Sequence, residues 1–219
     1  MSQISDRLQT LFESERNVRS THGALIVEER GALVSALTAS VQEALAFADE
    51  DEATLRLCRL ALLLGDLDGD KVADLLVDIL GSQSPEARVV AGEALEGLAF
   101  DRFKEVALAI ERAVDRLPKD SPALTELPFL LAEVGEPGCV KLLGRFLKHA
   151  SADVVAAAVE ALAELGDPAA IPLLAPLERD GRQVMLDDDA EGDRVAIGDL
   201  AHEARELLAD LASKGRSER

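Results

Sequence analysis

Three histidines, His22, His149 and His202, are the candidates for general acid–base chemistry in this chain, and they stand far apart in sequence. Such chemistry needs a side chain within hydrogen-bond reach of a nucleophile and of an orienting partner. None of the three belongs to a motif of that kind, and the sequence has no Gly-rich phosphate loop, no GxSxG elbow and no Cys–His signature. Two aspartate clusters imitate calcium loops. Asp187, Asp189, Glu191 and Gly192 fit positions 1, 3, 5 and 6 of the pattern, but position 12 falls on Gly198, where a bidentate carboxylate is required. Asp66, Asp68 and Asp70 begin in the same way and then put Lys71 at position 6 and Val77 at position 12. Both clusters read as turns and helix caps, so no metal or cofactor is expected. Cys58 and Cys139 lie among Leu60, Leu62, Leu142 and Leu143 without the close spacing of a zinc or redox pair. They read as reduced, buried thiols.

The basic residues form a more definite pattern. The chain carries 42 acidic and 23 basic residues, a net charge of −19, which repels phosphate backbones and anionic membranes at long range. Neither nucleic acid nor membrane is expected as a partner. Against that background Lys141, Arg145 and Lys148 are spaced i, i+4 and i+7, which puts three cations on one side of a helix. The competing reading is a solvated face that balances neighbouring carboxylates.

The elements that carry these residues follow from composition and punctuation. The sequence is 48% hydrophobic, dominated by alanine and leucine, with 3% aromatics and no Trp or Tyr. That balance favours close helix packing over a β-sandwich and argues for an all-α fold. In "AELGDPAAIPLLAPL", residues 163–177, one apolar helical run stops and another starts. Gly166 can take the positive φ that ends a helix, Asp167 can cap the next, and Pro168 suits its first turn. The same device recurs in "AEVGEPGCVKLL" at 132–143, with Gly135, Glu136, Pro137 and Val140 in the places of Gly166, Asp167, Pro168 and Ile171. Upstream, "ALLLGDLDGDKVADLL" and "GLAFDRFKEVALAI" read as further turns, so turns begin after Leu64, Leu98, Val134 and Leu165, at spacings of 34, 36 and 31 residues. A helical hairpin repeated at that period is the mark of an α-solenoid, because one hairpin cannot bury its apolar face alone.

The unit "SADVVAAAVEALAELGDPAAIPLLAPLERDG" at 151–181 resembles the HEAT repeat, in the short bacterial form also found in phycobilin lyase subunits. At 84–110, "ARVVAGEAL" sets Arg88, Ala91, Ala94 and Leu95 where the first helix of that repeat has Arg, Ala, Ala and Leu. The last unit departs by having Val155 in the arginine slot, and 51–80 matches through its periodicity. The resemblance covers roughly 51–212 and implies a fold that serves many unrelated roles. HEAT-repeat iron hydroxylases hold metal through several His-Glu pairs. Here His202-Glu203 stands as a single pair and cannot supply that ligand set.

Along the chain, residues 1–50 read as N-terminal capping helices: a first amphipathic helix over 3–16, with Ile4, Leu8, Leu11 and Phe12 at helical spacing, then a long helix over 23–47 broken at Gly31. A short strand over 24–28 is the alternative. The acidic run 49–52 suits a helix start. Four hairpins follow at 51–83, 84–120, 121–150 and 151–181, and Pro128 is expected to kink or delay its helix. "RQVML" and "DRVAI" flank "DDDAEG" and suggest a small β-hairpin near 182–197 before a closing helix from about Asp199 to 212 and a basic tail, 213–219. The whole chain, 1–219, reads as one domain. The N-terminus has no signal-peptide core and no run is apolar for the roughly 20 residues that span a bilayer, so a cytoplasmic protein is expected.

Superposing the second helices on Val72, Val106, Val140 and Ile171 extends the basic stripe to Arg179. It also equates Lys141, Arg145 and Lys148 with Ala73, Val77 and Leu80 in the first unit and with Ala107, Glu111 and Val114 in the second. The expected surface grades from an apolar row, Val77, Leu80 and Val114, to a basic one, and suits an amphipathic or extended segment bearing acidic residues. The function expected is a noncatalytic scaffold or adaptor. A bilin-lyase-like cofactor-handling subunit and an acidic inhibitor or immunity protein for a basic partner are the competing classes.

Overall fold

The computed structural model describes residues 3–185 and 194–217. After a long first helix, α1 (Gln3–Ile26), the chain turns into α2 (Arg30–Leu45) and α3 (Glu50–Gly65). The break before α2 falls at residues 27–29 and not at Gly31, because the Glu29 carboxylate accepts the backbone N–H groups of Gly31 and Ala32 and so starts the helix there. No strand forms over 24–28. Asp49 caps α3 by accepting the N–H groups of Asp51 and Glu52, both at 3.1 Å, and acidic residues fill the first turn where the helix dipole favours them.

Paired helices then stack. α4 (Asp70–Leu80) returns alongside α3, and α5 (Pro85–Arg116) supplies both helices of the next unit. α6 (Ala123–Val134) and α7 (Cys139–Phe146) make the third, and α8 (Ala152–Leu165) opens the fourth. First helices pack on first helices, α3 on α5, α5 on α6 and α6 on α8, while α4, the second half of α5 and α7 form the other layer. Between the layers runs one continuous core of aliphatic side chains that includes Leu64, Leu76, Leu95, Ile110, Leu131, Leu143, Phe146 and Leu162. Each fully buried leucine or phenylalanine there contributes about 1.5–3 kcal/mol relative to exposure.

The turns show what the local sequence controls. Gly135 and Gly166 end α6 and α8 at φ +61° and +69°, a region side chains rarely enter, and Asp167 accepts the Ala169 N–H at 2.8 Å beside Pro168. The second unit turns elsewhere than expected. No break follows Leu98. The helix continues to a kink at Arg102 (φ −142°, ψ 45°), because the stretch 98–101 contains neither glycine nor proline to stop it. α6 runs through Pro128 from Ala123. The second helix of the fourth unit is not regular. A 3₁₀ turn at Pro168–Ala170, a short α9 (Ile171–Leu174) and a 3₁₀ stretch at Ala175–Arg179 replace it, since Pro168, Pro172 and Pro176 withhold donors along the run.

Two short strands, β1 (Gln183–Met185) and β2 (Arg194–Ala196), pair antiparallel with Val184 opposite Val195. The intervening 186–193, with the candidate calcium positions Asp187, Asp189, Glu191 and Gly192, lies outside the described residues. β2 leads directly into α10 (Ile197–Ser217), which packs on α8, α9 and the 3₁₀ stretches. The fold is an all-α solenoid with a small two-stranded insertion.

Candidate functional site

The second-helix layer carries a ladder of ion pairs. On α4 the half-buried Asp74 and Asp78 accept from Arg112 at 2.9 Å and Arg116 at 2.5 Å of α5. One residue back along α5, Glu111 and Asp115 face the other way and hold Arg145 of α7 at 2.6 and 2.8 Å. The hydrogen bond that Arg145 donates to Asp115, with Glu111 adding, raises the pKa of its guanidinium above the ordinary value. Adjacent acid and base columns on α5 therefore tie three successive second helices together.

This arrangement divides the basic stripe. Arg145 balances neighbouring carboxylates, so its charge is largely engaged within the chain. Lys141 is exposed on α7, while Lys148 lies beyond the last residue of that helix and Arg179 is exposed at the end of the 3₁₀ stretch. Neither lysine nor Arg179 has an ion-pair partner among the described residues.

The apolar row does not exist as a surface. Val77 is 0% and Leu80 2% exposed, and Val114 is half-buried. The cause is tertiary: α4 is packed by α2 as well as by α3 and α5, so its residues equivalent to Lys141 and Arg145 face the interior. Of α4, Asp70 and Lys71 stay exposed at its start, and the half-buried Asp74 and Asp78 are occupied by the arginines of α5.

A groove of about 390 Å³ lies between the second half of α5 and α7. Phe103, Ala107, Leu108 and Leu142 line it, Lys104 and Lys141 stand on its rim, and the Glu111–Arg145 pair lies at its wall. Lys104, like Lys141, is exposed and has no ion-pair partner among the described residues. An apolar trough with two free ammonium groups beside it can take an apolar side chain flanked by carboxylates. Superposition on Val106 and Val140 hides this pair, because it sets Lys104 opposite Gly138, one residue before α7 begins. The signal available in sequence was the Phe103-Lys104 dipeptide directly after the α5 kink.

The other candidate residues separate. Asp66 receives His22 at 2.7 Å, and Asp68 sits between Arg30 and Arg102, so these aspartates hold the first turn row together. His149 is half-buried behind α7 and His202 is exposed near Glu178 and Glu206. Among the described residues no three His, Cys, Asp or Glu side chains converge as a metal site would require. Cys139 is buried, but Cys58 is only half-buried, because the α1 side of α3 is open.

The family model of HEAT repeats matches residues 123–188, the segment from α6 to β1. No curated protein matches the chain. Among solved structures, an engineered protein aligns at 20% identity over 84% of this chain and 85% of its own, with a TM-score of 0.36. A computationally designed armadillo repeat protein for modular peptide recognition aligns at 17% identity over 89% and 93%, with a TM-score of 0.35.

Proposed function

We propose that this array of helical hairpins, whose residues 123–188 match a model of HEAT repeats, is a noncatalytic interaction module that binds another protein through the groove between α5 and α7. The observation that carries this reading is the pairing of an apolar trough with Lys104 and Lys141, two cations left free in a chain of net charge −19. Most of the surface repels an acidic partner, and this groove admits one. The segment it suits is short and amphipathic, with leucine or phenylalanine next to glutamate or aspartate. Complementary charge at the rim contributes to encounter rate and selectivity, and the buried apolar side chain contributes most of the affinity. No helix among the described residues is long and apolar enough to cross a membrane, and the module is read as acting in the cytoplasm.

The test uses peptides that pair leucine or phenylalanine with acidic residues, with polarisation read at about 0.01 M and about 0.15 M ionic strength. Lys104→Glu/Lys141→Glu is expected to lose roughly tenfold or more in affinity and to flatten the salt dependence, with an unchanged circular dichroism spectrum. Arg145 is left intact because its reversal would place three carboxylates together. Equal affinity of wild type and variant at both salts overturns the reading, and retention of an added open-chain tetrapyrrole would direct attention to a cofactor-handling role.

A further inference from the structure

No side chain of α1 is buried, and only Val18, His22 and Ile26 are half-buried. Ile4 is 71% and Leu11 61% exposed. These residues are not scattered. Ile4, Leu8, Leu11, Val18 and Leu25 recur in steps of four and three, with Glu15 and His22 filling the two remaining places of the same register. That is a heptad seam, with Phe12 and Ile26 beside it, and its period keeps an apolar stripe against a partner helix as the two wind about one another.

Across from α1 lies α3, and between them is an open slot of about 1140 Å³. Val18 and Leu25 of the seam line one wall, while Leu55, 64% exposed, and Leu62, 48% exposed, line the other with Cys58. The N-terminal half of the seam, with Ile4, Leu8 and Leu11, stands exposed beyond the slot.

We propose that this slot is filled by α1 of a second copy of the chain, giving a two-fold dimer in which each α1 lies between α1 and α3 of the other protomer. Two observations select a second copy. The seam is self-matching, since a heptad stripe pairs with another heptad stripe. Charge points the same way: α1 carries Asp6, Glu13 and Glu15 against Arg7, Arg16 and Arg19, a net of zero, whereas the chain carries −19. Two arrays repel one another over distance, and α1 is a long surface on which they can meet without adding like charge. At roughly 36 Å of helix, α1 offers a continuous contact, and the isologous arrangement closes at two copies.

Sedimentation velocity of the full chain across two decades of micromolar concentration tests this. A dimer is expected at the upper end, and Leu8→Glu/Leu11→Glu is expected to raise the dissociation constant by at least about 100-fold. Thermal unfolding of dilute protein should be the same for both chains, since these leucines are exposed in the monomer. Leu55→Glu, on the opposite wall, should weaken the dimer independently. Cys58 provides a second readout because Cys139 is buried: native thiol labelling of Cys58 should slow as wild type is concentrated and stay constant in the Leu8→Glu/Leu11→Glu variant. A wild type that is monomeric throughout overturns the proposal and leaves the slot to closure of its own α1 or to another protein. A dimer that survives Leu8→Glu/Leu11→Glu, or Cys58 labelling that ignores concentration, overturns it as well. Peptide binding between α5 and α7 is a separate measurement and is unaffected by these variants.

Discussion

The two ends of the chain carry long amphipathic helices with opposite fates. α10 sinks Ile197, Ala201, Ala204 and Leu208 into the array, while α1, with a comparable stripe, buries no side chain fully. The difference lies in how each helix is attached. The Ile197 N–H donates to Arg182 O and the Gly198 N–H to Asp180 O, both at 2.9 Å, so the backbone leaving β2 is fixed before α10 begins. Arg182 in turn donates to the carbonyl oxygens of His149 and Ala150 at 3.1 and 3.0 Å. Arg205 pairs with Glu178 farther along. α1 is held by the His22–Asp66 contact, the half-buried Ile26 against the core and a three-residue connection to α2. Amphipathic periodicity says that a helix has a side to bury; attachment decides whether the chain itself provides the place.

The comparison breaks most visibly under core truncation. Leu162→Ala and Leu208→Ala, both at fully buried positions, are each expected to cost about 2–5 kcal/mol in urea unfolding. Leu11→Ala in dilute protein should stay within about 0.5 kcal/mol of wild type. A Leu208→Ala chain as stable as Leu11→Ala would remove the distinction between the ends.

Glycines sharpen it. A Cβ on Gly198 would lie 2.7 Å from the Glu178 carbonyl oxygen and 3.1 Å from the carbonyl carbon, where backbone cannot easily give way. Gly198→Ala should therefore destabilise by about 1–3 kcal/mol. A Cβ on Gly23, within α1, meets nothing within 4 Å. There the alanine should favour the helix by roughly 0.8–1 kcal/mol of propensity, seen as a gain in helical circular dichroism without loss of melting temperature.

A smaller effect separates the ends by pH. Burial holds His149 below its ordinary value of 6.5, with the charges of Lys119 and Arg182 adding to the shift. Its Nδ1 accepts the Ser151 N–H at 3.1 Å, which the neutral ring can do. For a base depressed in the folded state, the stabilisation is present above 6.5 and is lost as pH falls through the lower folded value. Unfolding free energy should therefore decline on acidification from neutrality in wild type, and less steeply in His149→Gln. Superimposable pH profiles of the two chains would contradict this account.

The features legible in sequence are those that act over a few residues. Gly135 and Gly166 end their helices because a backbone requirement falls on one position, and Asp49 caps α3 because its carboxylate reaches N–H groups two and three residues on. The strands flanking 186–193 were readable from their residue types. The position of the kink at Arg102 was not, since nothing in 98–101 marks a stop.

The binding face divides along the same line. From the sequence alone came an all-α array of hairpins, its period, and the positions of the cations, since charge and helical spacing are properties of the chain. Which of those cations stay free was decided only in three dimensions: Arg145 is engaged because Glu111 and Asp115 reach it from a helix 30 and more residues away. Val77 and Leu80 vanish from the surface because α4 is packed by α2, α3 and α5 together. Equivalent positions in a repeat share a backbone direction, but each has its own neighbours, and burial and pairing are set by neighbours.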